Sequence, residues 1–204
     1  RVAFALSEIL VISQLSPLVG YPWGSASYYD TLSRNAFGNY RTLMEDVTLH
    51  PAMGVYLSML GNQKPDALRN IRPDENYARE LMQLFTIGLV ELNLDGSVRR
   101  NGQGNAIPTY DQQVIEGFAH VYTGWTYAGA PSFALAFPTI ANQVVPMQAY
   151  AEQHDTGAKR VLSYTGAAFT QIPAGQTPVQ DLDDALDNIF RHPNVAPFIS
   201  KQLI

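Results

Sequence analysis

Hydrophobic and polar residues recur along this chain mainly with the period of helices. Arg1 to Ser16 is apolar almost all round (Val2, Phe4, Leu6, Ile9, Leu10, Val11, Ile12, Leu15), which predicts a buried helix ended by Pro17. Ser16 to Ser27 is rich in Gly, Pro and Ser and reads as a loop, with a short helix over Tyr28 to Arg34. Tyr40, Leu43, Met44 and Val47 form the stripe of a helix over 40–49, and His50-Pro51 turns it into another over 51–60. Arg72 to Gly88 reads as a helix with a proline near its start and a glycine past its end. Thr109 and Thr177 each stand three residues before a glutamine, the pattern of a capping box, and open helices ending near Thr123 and Phe190. His192-Pro193 opens a last helix.

Strand signals are sparse. Leu89 to Arg100 predicts a hairpin around Asp95-Gly96, and residues 128–175 read as a long irregular excursion holding a second hairpin. The expected class is therefore all-α: a multi-helix orthogonal bundle with one or two small hairpins. It is expected to form a single domain over 1–204. The chain starts inside a helical pattern and stops a few residues into another, so both ends are expected to be cut from a longer protein. Val47 to Leu57 echoes Ile189 to Ile199, each a helix, a His-Pro corner and a helix.

The 72–88 helix carries the densest polar face. At about 100° per residue, Glu75, Asn76, Arg79, Glu80, Gln83 and Thr86 share an arc of roughly 140°. Tyr77, Leu81, Met82, Leu84 and Phe85 fill the rest, so the helix should sit deep and cover that arc. Arg79, flanked by Glu75 and Glu80, is expected to be substantially buried and bonded to at least one carboxylate.

Composition narrows the function classes. The 204 residues suffice for a full core, and the net charge of −5 without a basic run argues against nucleic-acid binding. Absence of cysteine removes disulfides, thiolate metal sites and a Cys nucleophile. No apolar run approaches the ~20 residues of a membrane span. No two histidines have zinc-helix spacing, and Asn93 to Gly96 lacks the later ligands of a calcium loop, so the sequence names no metal-ligand set and identifies no cofactor. His50 and His192 are expected to face the last carbonyls of the preceding helix, and His120 to be exposed. His154-Asp155, with Lys159 nearby, offers a base and a carboxylate within the irregular excursion.

Glu75-Asn76-Tyr77-Ala78-Arg79-Glu80-Leu81-Met82-Gln83-Leu84-Phe85-Thr86-Ile87-Gly88 resembles the bacterial family called domain of unknown function 1800. The resemblance continues, in order, through Thr109-Tyr110-Asp111, Thr123-Gly124-Trp125, His154-Asp155 with Lys159, and His192-Pro193 with Ala196-Pro197-Phe198-Ile199. It implies a largely helical protein, often exported and usually longer, with no established activity. It also implies that Glu75, Asn76, Arg79, Glu80, His154, Asp155 and Lys159 form one site. Gln83 stands where the family commonly has a second carboxylate.

Two functions follow as expectations. The first is an extracytoplasmic, hydrolytic enzyme. Glu80 or Asp155 would act as acid/base and His154 as partner, and Arg79, Glu75, Asn76 and Lys159 would bind substrate. The second is a non-catalytic module binding a partner protein or envelope polymer. They differ in one observable: whether the helix arc and the His154 segment face one cavity.

Overall fold

The computed structural model describes residues 1–204. Eight α-helices dominate: α1 (Val2–Ile9), α2 (Pro22–Arg34), α3 (Tyr40–Thr48), α4 (Pro51–Tyr56), α5 (Asn76–Gln83), α6 (Gln112–Val121), α7 (Pro178–Phe190) and α8 (Val195–Leu203). Two antiparallel strand pairs accompany them. β1 (Trp125–Thr126) pairs with β2 (Gln148–Ala149), and β3 (Lys159–Arg160) with β4 (Gln171–Ile172). One cluster of 37 buried apolar residues takes side chains from all eight helices, so the helices share a core. Within it α2 packs on α1, α3 and α4; α6 packs on α5, α7 and β3.

Side-chain caps open four of the eight helices, α3, α4, α6 and α7. Thr177 and Gln180 exchange both hydrogen bonds of the expected capping box at α7. At α6 the expected cap moves: Asp111 accepts from Val114 N at 3.1 Å, while the Thr109 hydroxyl donates to Gly88 O. α2 begins at Pro22, inside the stretch expected to be loop, because proline suits the first helical turn. α1 is shorter than expected and is not buried all round, with Phe4 and Leu15 in solvent. Segments 90–93 and 97–100 pair across Asp95-Gly96 as expected, Asn93 N donating to Ser97 O and Arg99 N to Glu91 O at 2.8 Å each, and 106–108 adds a third leg through Glu91 N to Ile107 O at 2.8 Å.

The His-Pro corners recur in space. His50 Nδ1 accepts from Ala52 N at 3.2 Å, and His192 Nδ1 accepts from Asn194 N at 3.1 Å. Each imidazole therefore serves the helix that follows, not the carbonyls of the one before. The reason is local: the extended backbone at His50 puts its ring beside the free N–H groups of the next turn. Burial drives both imidazoles down to about 4, with Arg34 adding to the effect at His50.

Candidate functional site

Helix α6 supplies the centre of the site. Its buried face is Val114, Ile115, Phe118 and Val121, and Glu116 and His120 lie one turn apart on the other side. At Gly117 the helix touches β3 so closely that an added Cβ would stand 1.8 Å from Arg160 O. This contact brings the loop before β3 against the end of α6. Asp155 N donates to Thr123 Oγ1 at 2.9 Å, and the Asp155 carboxylate pairs with His120 Nδ1. His120 holds that carboxyl down at about 2, against the opposing effect of burial; the N–H of Gly157 and the Lys159 charge add to the lowering. Asp155 is thus ionised at any ordinary pH.

His120 is the residue that sequence reasoning missed. The helical pattern places it in solvent, yet its side chain is two-thirds covered. Its partner lies 35 residues away, so no local pattern announces the pair. His120 and Glu116 form the ridge between two depressions. One, of about 290 Å³, is walled by Pro65, Arg72, Pro73, Glu75 and Ala119. The other, of about 190 Å³, is walled by Gln113, Gly117, Ala158, Lys159 and Arg160. With Nδ1 held by Asp155, His120 Nε2 has no protein partner.

The α5 arc reaches this ridge through one residue. Glu75 accepts from Gln112 Nε2 at 3.0 Å, and Gln112 Nε2 also lies 3.3 Å from Glu116 Oε1. Arg79 donates to Glu75 at 2.8 Å, but its side chain is 39% exposed, so the expectation of a buried arginine fails. The physical reason is that the polar arc of α5 is covered only where α6 crosses it. Arg79→Ala is therefore expected to cost no more than about 0.5 kcal/mol in a urea melt. A loss of several kcal/mol would contradict this placement.

The remaining expected site residues separate. Asn76 is exposed, and Glu80 lines neither depression; its charge lies near Tyr110. His154 and Asp155, adjacent in an extended segment, point to opposite sides. The His154 side chain is fully buried, with Nε2 2.9 Å from Asp181 Oδ2 and Nδ1 2.9 Å from Thr123 O. Lys159 is 2% exposed, its Nζ 2.6 Å from the same Asp181 oxygen. His154 therefore cannot serve as the partner of Asp155, and neither it nor the Lys159 ammonium is presented to a bound substrate. Three His, Asp or Glu side chains do not converge anywhere in metal-binding geometry.

A match to the family described as "Protein of unknown function (DUF1800)" extends over residues 1–204. The chain belongs to the DUF1800 family. No match was found among curated proteins or among solved structures. The geometry of this DUF1800 chain therefore has to carry the functional reading. Its distinctive chemistry is an imidazole oriented by an ionised carboxylate at the edge of two polar depressions. No helix in it is long and apolar enough to cross a membrane.

Proposed function

We propose that the chain is a hydrolytic enzyme in which His120 is the general base. The observation that carries this reading is the His120–Asp155 pair, with Nδ1 engaged and Nε2 free beside a cavity. A carboxylate on Nδ1 fixes the tautomer whose Nε2 can take a proton from water or from a substrate hydroxyl, and it stabilises the imidazolium that results. Glu75 and Glu116 line the same cavity, and Arg72, which has no ion-pair partner, supplies a cation for an anionic group. Asp155 moves from the acid/base role expected of it to that of the positioning carboxylate. Glu75 stays at the cavity wall, while His154, Lys159, Glu80 and Asn76 take no part.

The test is a panel of chromogenic esters, amides and glycosides offered to the complete protein with and without divalent metals. At least one class should be hydrolysed. His120→Gln should lower kcat by about 10²- to 10⁴-fold, and Asp155→Asn should lower it too, with both variants melting near the wild type. If His120→Gln keeps full activity on the hydrolysed class, the assignment fails. An extracytoplasmic location belongs to this reading and rests on the family's habit of export; cell fractionation checks it.

A binding module is the second reading, and a separate observation favours it. Gly124 to Ala151 contains no charged residue. Leu135, Phe137 and Ile140 stand more than half exposed there, the first two beside a shallow depression of about 620 Å³. A panel silent on every substrate class would favour this reading, with a partner protein or envelope polymer as the occupant.

A further inference from the structure

A second polar cluster lies buried behind the smaller depression beside His120 and takes no part in the chemistry proposed there. Lys159, the first residue of β3, and Asp181, in the first turn of α7, are both buried. Lys159 Nζ stands 2.6 Å from Asp181 Oδ2, which puts it roughly 3.8 Å or less from the carboxyl carbon, given a C–O bond of about 1.2 Å. His154 Nε2 reaches the same oxygen at 2.9 Å. Asp181 Oδ1 is buried and has no protein hydrogen-bond partner. An ion pair so placed leaves half of the carboxylate uncompensated in a medium that penalises charge.

We propose that Lys159 and Asp181 are joined by an intramolecular isopeptide bond, with His154 as the proton shuttle. Transfer of a proton from the ammonium to the carboxylate, across their 2.6 Å contact, gives an amine and a carboxylic acid. The amine lone pair then attacks the Asp181 carboxyl carbon, forming the Nζ–C bond. His154 Nε2 takes a proton from the attacking nitrogen and returns one to the departing Oδ2. The C–Oδ2 bond breaks and one water leaves. The products are a secondary amide and that water, His154 ends as it began, and no oxidant, reductant or cofactor is consumed.

Three details fit the chemistry. His154 Nδ1 lies 2.9 Å from Thr123 O, a carbonyl that can only accept, so Nδ1 carries a proton. In the neutral ring Nε2 is then a proton acceptor aimed at the reacting oxygen. Gly157 O accepts from Lys159 Nζ at 2.8 Å and holds the amine in place. Lys159 also borders the smaller depression beside His120, a route by which the water can leave. The bond would tie β3 to α7 and close the segment between them, in a chain with no cysteine to form a disulfide.

The experiment is an intact mass measurement on the complete purified protein under denaturing conditions, followed by peptide mapping. The expected result is a chain one water lighter than its sequence, with no tryptic cleavage after Lys159 and one branched peptide containing Lys159 and Asp181. A full sequence mass with cleavage after Lys159 overturns the proposal. So does a water loss that maps to Asp95-Gly96, where an Asp-Gly step can lose water as a succinimide. His154→Ala keeps both reacting groups and should show the full mass; a branched peptide in that variant would overturn the shuttle. The wild-type measurement is made on unfolded protein, so its outcome does not depend on any variant folding.

Discussion

Replacing Gly117 with alanine is expected to cost about 3 kcal/mol or more and to leave little folded protein. The new Cβ would lie 1.8 Å from Arg160 O and 2.9 Å from Arg160 C. Both sides of the contact are backbone, so no side chain can swing away. Either β3 separates from α6, or the helix shifts in a close-packed core. Intrinsic propensity works the other way, since alanine favours a helix interior over glycine by about 1 kcal/mol. The steric term is larger and sets the sign. Gly102→Ala is the control: nothing lies within 4 Å of its Cβ, and a change within about 0.5 kcal/mol is expected. Urea melts of both variants read the difference. A Gly117→Ala midpoint equal to the wild type would mean that α6 and β3 do not meet as described. The loop bearing Asp155 reaches His120 across this contact, so any surviving variant should also lose the proposed activity.

The features legible in the sequence are those fixed by neighbours in the chain. The Thr177 box is complete within four residues and stands where the pattern predicts it, and the His-Pro corners fall between helices as expected, although their imidazoles bond forward and not back. Thr109 and Asp111 are rival caps two residues apart. The choice between them is made by Gly88 O, 21 residues away, which recruits the Thr109 hydroxyl. The same limit applies to the site. Glu75 and Asp155 stand out in the sequence as chemistry-bearing, but the group that links them is the Gln112–Glu116–His120 edge of α6. On that helix alone His120 looks like one more polar residue facing water. His154 and Asp155 look like a pair because they are adjacent. In an extended segment adjacency separates side chains, and each finds its partner on a different element, Asp181 on α7 and His120 on α6.

Acidification from pH 7 to pH 4 is expected to remove roughly 6 kcal/mol of stability through His50 and His192 alone. Both titrate near 4 in the folded chain because burial disfavours the imidazolium, and both return to about 6.5 when unfolded. Between those values the unfolded chain binds a proton that the folded chain refuses. Stability is therefore whole above pH 6.5 and falls by about 1.4 kcal/mol per pH unit per histidine below it. Once pH passes 4 both states are protonated and the loss levels off. The structure adds a second reason for the resistance: Nδ1 of each ring accepts a helix N–H, which a protonated ring cannot do. A loss of this size rivals the whole stability of a typical domain, about 5–15 kcal/mol. Denaturant melts at pH 7, 6, 5 and 4 measure the slope. His192→Asn supplies the discriminating variant, because an asparagine oxygen can accept the same N–H without titrating. It should lower stability at pH 7 through the lost packing against Tyr164, yet remove about half of the pH dependence. An unchanged slope in that variant would show that His192 is not held neutral by its corner.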